Sequence, residues 1–178
     1  MSPKSVVRPR RPLRLSTAVG GLAVVAIVVW YVAAYGAEAA AITVRPHFPN
    51  LSLLLEAPLA IRIHVLGAVS ALAIGTVLLV GVKGTRVHRT LGWSWVVAMG
   101  ATAVSSFFIH RINPDGFSFI HLISGWSVIA LPMAVHAARK HQVKAHRRGM
   151  VGLFVGGLLV AGALSFLPGR LMWQLAFG

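Results

Sequence analysis

Residues Pro58 to Val82 read PLAIRIHVLGAVSALAIGTVLLVGV and contain a single charged side chain, Arg62, and a single histidine, His64. An α-helix rises ~1.5 Å per residue, so about 20 apolar residues cross the ~30 Å hydrocarbon core of a bilayer. The stretch is long enough and apolar enough to meet this requirement. It therefore predicts a transmembrane helix.

Four further apolar stretches lie on either side of this one. The five predicted spans, numbered in chain order with Pro58 to Val82 as span 2, are completed by Leu15 to Tyr35, Leu91 to Ile109, Phe117 to Val135 and Met150 to Leu167. Charged residues make up 11% of the chain, against about 25% in a typical soluble domain. The prediction is an all-α integral membrane protein with five transmembrane helices. Because the chain has no cysteine, disulfides, iron–sulfur clusters and thiolate metal sites are excluded.

The basic residues predict the orientation. Thirteen of the 17 Lys and Arg residues precede span 1 or lie between spans 2 and 3 or 4 and 5, whereas all three acids fall on the opposite side. The positive-inside rule then puts the amino terminus in the cytoplasm. The net charge of +14 is explained by topology, and binding to nucleic acid is not expected. The predicted regions are a basic cytoplasmic arm (1–14), an N-terminal anchor (15–35), an extracytoplasmic loop (36–57), a four-helix bundle (58–167) and an interfacial tail (168–178).

Span 1 has one alternative interpretation. Arg10 and Arg11 precede an apolar run that is followed by small residues around Glu38, as in a cleaved signal peptide. A signal peptide normally has an apolar region of about 7–15 residues, which is shorter than this run. A retained helix is favoured, and cleavage would leave the topology of spans 2 to 5 unchanged.

Spans 2 to 5 resemble an internal duplication of one helical hairpin. In each copy a histidine, a basic loop and a second histidine follow one another, and the two histidines are spaced by 24 positions in the first copy and 25 in the second. Each histidine has a glycine three or four positions later, on the same helical face. The four pairs are His64 with Gly67, His88 with Gly92, His121 with Gly125 and His146 with Gly149. The pattern predicts a duplicated hairpin folded as a four-helix bundle, although chance pairing in a glycine-rich chain is the alternative.

The duplication predicts two pairs of facing histidines, one at each end of the bundle. His64 and His121 would form the outer pair, and two neutral imidazoles that face each other are the axial ligands of a six-coordinate b-type haem. Gly67 and Gly125 would make room for the macrocycle, and Arg62 and Arg111 would neutralise its propionates. An intramembrane histidine is costly and is therefore a functional candidate.

The inner pair, His88 and His146, would hold a second haem, with Arg86, Arg89 and Arg147 available to its propionates. Both histidines lie close to helix starts, so an inner haem would sit at the edge of the bilayer, and simple interfacial residues are the alternative. His136, 15 residues after His121, is an alternative inner ligand, but the matching position in span 2 is Leu79, so this alternative is not supported. His47, His110 and His141 are interpreted as interfacial.

Other functions are compatible with the same histidines. They could hydrogen-bond each other or a backbone carbonyl across helices, or hold zinc or copper. The tryptophans could pack on haem edges or form an interfacial belt. No Ser/His/Asp arrangement, phosphate loop or carboxylate pair is visible, so no enzymatic reaction is assigned, and a transporter is disfavoured because the spans lack acids and paired broken helices.

The segments around His64-x-x-Gly67, His88-Arg89-x-x-Gly92 and Ala145-His146-Arg147-Arg148-x-Met150 resemble an uncharacterised family of small bacterial predicted membrane proteins. That resemblance covers spans 2 to 5 and implies location in the bacterial cytoplasmic (inner) membrane. The alternate-helix pairing also resembles the transmembrane dihaem cytochromes of the cytochrome b561 type. This second resemblance implies electron transfer by one or two haem b groups, with a quinone or another membrane subunit as partner. The alternative is a non-catalytic accessory or assembly subunit of a larger membrane complex.

Overall fold

A computed structural model describes residues 48–109, 119–166 and 170–177, with the backbone alone at 119 and 120. These ranges contain helices and no strand: α1 (Leu51–Glu56), α2 (Leu59–Val80), α3 (Arg86–Ser106), α4 (Phe119–Arg139), α5 (Val143–Ser165) and α6 (Leu171–Phe177). The predicted basic arm, span 1, most of the extracytoplasmic loop, His47, His110 and Arg111 lie outside the described residues.

The helices extend beyond the apolar stretches that predicted them. Helix α3 begins at Arg86 rather than Leu91, and α5 begins at Val143 rather than Met150. Five basic residues before spans 3 and 5 are therefore helical: Arg86, Arg89, Lys144, Arg147 and Arg148. Lys and Arg are good helix formers, and hydropathy marks lipid contact rather than helix ends. The connections are correspondingly short. Gly84, with φ of 81°, turns the chain between α2 and α3, and Thr85 caps α3 by accepting from the amide of His88 at 3.1 Å.

Three of the described helices are long and apolar enough to cross a membrane: Leu59–Val80, His121–Arg139 and Val143–Ser165. Helix α3 has 21 residues but is more polar in composition, with Arg86 and Arg89 in its first turn. Large apolar side chains point outward on these helices. Val69 of α2 is 59% exposed and Met133 of α4 is 67% exposed. Such exposure on helices of this length is typical of a lipid-facing surface, so the chain is a helical membrane protein.

The four long helices pack as a bundle. Helix α3 lies against α2 on one side and α4 on the other, while α5 packs on α4 and also contacts α2. A compact apolar core forms where they meet, and its buried members are Ala71, Trp95, Met99, Leu131, Leu153, Phe154 and Leu158. Trp95 is 3% exposed. It is thus a core residue rather than part of an interfacial belt, because its ring and that of Phe154 cover Gly75 of α2.

Helix α5 changes its winding in the middle of the bundle. Residues Leu153–Val160 are π-helical, and this segment makes the contact with α2. Gly157 lies within it, directly beneath the Met99 side chain of α3. The wider π-helical turn lets Leu153, Phe154 and Leu158 all enter the core. Short π-helical segments within α-helices often occur at functional sites.

The two short helices lie together. The predicted tail contains α6 and the predicted extracytoplasmic loop contains α1, and the two helices contact each other. The amide of Asn50 donates to the carbonyl of Leu175 at 3.2 Å. The tail is therefore partly helical and packed against the residues that precede α2.

Candidate functional site

Buried polar residues concentrate at one end of α3. In the part of the chain with described side chains, the buried polar residues are Thr102, Ser105, Ser106, His121, Ser124 and Ser127. The first three lie in the last two turns of α3, and the others lie on α4. Because polar groups are costly inside a membrane, this group, with His64 added from α2, is the candidate site. We call it the histidine–serine cluster.

His64 is held in one orientation by α3. Its Nδ1 lies 2.9 Å from the carbonyl oxygen of Thr102 and 3.4 Å from Oγ of Ser105. A carbonyl can only accept, so the hydrogen bond assigns the proton of the neutral imidazole to Nδ1. Ser105 itself donates to the Thr102 carbonyl at 3.1 Å. The arrangement leaves Nε2 of His64 as the unprotonated nitrogen.

His121 approaches the same end of α3 from the opposite neighbour, α4. Its side chain is 7% exposed, and its ring centroid lies 6.2 Å from that of Phe107. One turn later Ser124 accepts a hydrogen bond from Ser106 of α3. The structure thus brings His64 and His121, which were predicted as the outer pair, to a single polar region around the end of α3.

The residues of the predicted inner pair lie near the starts of α3 and α5. Nδ1 of His146 lies 3.0 Å from the carbonyl oxygen of Ala134 on α4, so the same argument leaves its Nε2 unprotonated in the neutral form. The pKa of His88 is lowered, first by burial and then by the positive charges of His146 and Lys83. His88 and His146 therefore lie within electrostatic range of each other at the basic end of the bundle.

The four predicted glycines fall into two groups. A Cβ on Gly67 would lie 2.6 Å from Oγ1 of Thr102, and one on Gly149 would lie 2.7 Å from Cβ of Ala134. In contrast, a Cβ on Gly92 or Gly125 would have no neighbour within 4 Å among the described residues. We call Gly67 and Gly149 closed, because a neighbouring helix fills the space beside them, and Gly92 and Gly125 open. The closed glycines lie three residues after their histidines, and the open glycines lie four residues after theirs. Each histidine beside a closed glycine, His64 or His146, also bonds the carbonyl of the helix that closes it.

A closed glycine and a histidine that bonds a carbonyl of the same neighbouring helix together hold two helices in contact. We call this pair a helix clamp. Gly67 lets α3 approach α2, and His64 then reaches the Thr102 carbonyl. Gly149 lets α4 approach α5, and His146 then reaches the Ala134 carbonyl. Carbonyl bonding across helices was one of the alternatives for these histidines, and it occurs at both.

Arg62 is the charged residue nearest His64 in sequence. Its Nε is buried and has no hydrogen-bond partner among the described residues. Residues i and i+2 do not share a helical face, so Arg62 could meet only the edge of a ligand that His64 holds. A buried guanidinium nitrogen without an acceptor is costly unless an anion supplies one.

Sequence reasoning missed the hydroxyl groups of the cluster. Thr102, Ser105, Ser106 and Ser124 gave no motif, although three of them occur close together within an otherwise apolar span. Their proximity to the two histidines depends on how α2 and α4 pack on α3. In the described residues, no group of three or more His, Asp or Glu side chains is arranged to hold a metal ion.

Comparison with known proteins adds one relation. No curated protein and no solved structure matches this chain. A family model described as "Predicted membrane protein (DUF2306)" matches residues 61–172, which include α2 from its third residue, the whole of α3 to α5 and all four histidines of the two pairs. The chain therefore belongs to the DUF2306 family of predicted membrane proteins.

Proposed function

We propose that this protein binds haem b between His64 and His121 and carries electrons within the membrane. The observation that supports it best is the hydrogen bond from His64 Nδ1 to the Thr102 carbonyl. Histidines that ligate metals usually donate their other ring N–H to a carbonyl or carboxylate, which fixes the ring and raises the basicity of the ligating nitrogen. His64 meets this condition within a buried site.

Other residues of the cluster fit a haem at this position. Gly125, one turn after His121, has open space beside it, as a flat macrocycle would require. Arg62 has a buried Nε that lacks an acceptor among the described residues, and a haem propionate would supply one. Gly67 does not provide such room, because Thr102 occupies its face. Space for the ring is therefore expected on the His121 side.

When bound, haem would supply a one-electron couple. The chain's own residues would hold the iron through two Nε2 atoms, orient the His64 ring through Thr102 and exclude water with the apolar core below. His88 and His146 are the candidate ligands of a second haem at the basic end, and the haem-to-protein ratio decides between one haem and two. The electron partner would be a quinone or another subunit of a membrane complex.

We further infer five transmembrane helices with a cytoplasmic amino terminus in a bacterial inner membrane, and a duplicated hairpin in the last four. The charge asymmetry supports this topology. The cyclic packing of α2, α3, α4 and α5 is compatible with the duplication, since the proposed ligand pairs then lie on alternate helices. Measurement of the accessibility of single cysteines introduced into the basic loops would test the orientation.

A second candidate is a non-catalytic accessory or assembly subunit of a membrane complex. It is favoured by the two helix clamps, because tight packing at Gly67 and Gly149 gives His64 and His146 a purely structural role. On this view the open faces of Gly92 and Gly125 would receive side chains of a partner protein. Co-purification of a stoichiometric partner from native membranes would support it.

One pair of variants separates the two candidates. His64→Asn retains a side-chain N–H that can reach the Thr102 carbonyl but removes Nε2, whereas His64→Ala removes both. If haem is bound, the wild type purified from haem-replete cells shows a Soret band and both variants lose it. His121→Ala should lose it as well, while His141→Ala, a change in an exposed loop, should keep it.

If the role is structural, the preparation is colourless and remains so after haem is added. His64→Asn would then resemble the wild type in thermal stability, and only His64→Ala would be destabilised. A colourless wild type with this pattern would overturn the haem proposal.

A further inference from the structure

A groove with a volume of about 280 Å³ opens between the end of α2 and the start of α3. Its apolar lining includes Val77, Leu78, Val82 and Leu91, and its polar lining includes Thr85 and His88. The groove lies at the basic end of the bundle, away from the histidine–serine cluster. Neither helix clamp uses it.

The groove crosses the boundary of the hydrocarbon region. The apolar span of α2 ends at Val80. Val77 and Leu78 therefore line the part of the groove within the membrane, while Thr85 and His88 line the part beyond the end of the span. Val77 is 52% exposed, so the lining within the span faces outward, where lipid is the solvent. A ligand that fits must be apolar at one end and polar at the other.

The polar end of the groove is strongly positive. Residues 81–89 include Lys83, Arg86 and Arg89 and no acid, and residues 139–148, at the same end, include five more basic residues and no acid. Lys83 Nζ donates to the carbonyls of Leu79 and Gly81 at 2.6 and 2.7 Å, which holds its charge beside the groove. An anion is the complementary occupant.

We propose that this groove binds one anionic glycerophospholipid, with its phosphate among Lys83, Arg86 and His88 and an acyl chain along Val77, Leu78 and Leu91. Basic pockets between transmembrane helices at the membrane surface bind acidic head groups in this way. The apolar length of the groove distinguishes a lipid from free phosphate. The bound lipid would join the end of α2 to the start of α3 at their connecting turn.

The test uses the full chain in detergent, titrated with dioleoylphosphatidylglycerol or dioleoylphosphatidylcholine and observed by native mass spectrometry. We expect one phosphatidylglycerol to remain bound at collision energies that remove phosphatidylcholine. Arg86→Gln should lower the ratio of bound phosphatidylglycerol to phosphatidylcholine about fivefold, the effect of one basic charge near a membrane surface. Lys140→Gln removes the same charge from the connection between α4 and α5, whose residues do not line the groove, and is the matched control.

A second pair of variants tests the apolar part. Val77→Phe fills the groove with a larger side chain at an exposed position, and Val97→Phe makes the same change on a lipid-facing position of α3 outside the groove. Only the first should reduce retention of phosphatidylglycerol.

Four results would overturn the proposal. The wild type could retain the two lipids equally, or Arg86→Gln and Val77→Phe could behave like their controls. Inorganic phosphate could displace phosphatidylglycerol at equal concentration, which would make the site one for free phosphate. A second haem per chain that is lost in His88→Gln would show that haem occupies this end instead.

Discussion

Substitution of glycine by alanine should destabilise the protein at the closed positions, Gly67 and Gly149. At the open positions, Gly92 and Gly125, the same substitution should not. In Gly67→Ala the new Cβ would lie 2.6 Å from Oγ1 of Thr102 and 3.0 Å from the carbonyl oxygen of Ala98. The carbonyl belongs to the backbone of α3 and cannot rotate away, so the two helices must separate. Overpacking of this kind costs about 1–3 kcal/mol. Alanine is better than glycine in a helix by up to ~1 kcal/mol, which offsets part of the loss.

The net expectation for Gly67→Ala is a loss of about 1–2 kcal/mol in the free energy of unfolding. Separation of α2 from α3 would also lengthen the 2.9 Å bond from His64 to Thr102. Gly149→Ala should behave alike, because its Cβ would meet Cβ of Ala134 at 2.7 Å. Gly92→Ala and Gly125→Ala, with open space around the new methyl group, should be neutral or stabilising.

The assay is equilibrium unfolding of the detergent-solubilised protein by SDS, monitored by far-UV circular dichroism, with all four variants measured in the same micelles. Each closed-site variant is compared with the open-site variant on the neighbouring helix, so effects of helix propensity largely cancel. Equal stability of Gly67→Ala and Gly92→Ala would refute the assignment of a helix clamp at His64.

Two further predictions concern the basic end of the bundle. His146→Ala should lower stability by about 0.5–1.5 kcal/mol, because it removes the hydrogen bond to the Ala134 carbonyl. His136→Ala, at an exposed position, is the control, and equal unfolding midpoints would contradict the clamp. Because the pKa of His88 is below its ordinary value of 6.5, the folded chain binds fewer protons than the unfolded chain there, so stability should fall as pH drops below about 6.5. His88→Gln should flatten this part of the pH profile, and a profile identical to the wild type would show that other groups cause it.

Hydropathy predicted the existence of the long helices but not their ends. Span 2 matches α2 closely, because Pro58 and Gly81 bound the apolar stretch as they bound the helix. Helices α3 and α5 instead begin earlier than the predicted spans, among basic residues that the hydropathy pattern had assigned to loops. The π-helical winding of Leu153–Val160 gave no signal in the sequence either, because it depends on which side chains α2, α3 and α4 leave room for.

The sequence predicted the histidines of the candidate site but not its hydroxyl groups. His64 and His121 stood out because imidazoles are rare in apolar spans, and the glycines stood out through their spacing. The sequence could not tell that Gly67 is closed and Gly125 open, since the two differ only in whether a neighbouring helix lies over them. No pattern in the sequence indicated that Ser105, Ser106 and Ser124 lie near the histidines.

The membrane character of this chain follows from its sequence alone, because the length, apolarity and charge of a segment determine whether lipid can solvate it. The same local information located the candidate histidines and the basic end. Which nitrogen of His64 carries the proton, which glycines hold helices together and where a groove remains open were all decided by tertiary packing. These properties depend on distances of a few ångströms between residues far apart in sequence, such as His64 and Thr102, and no local pattern encodes such distances.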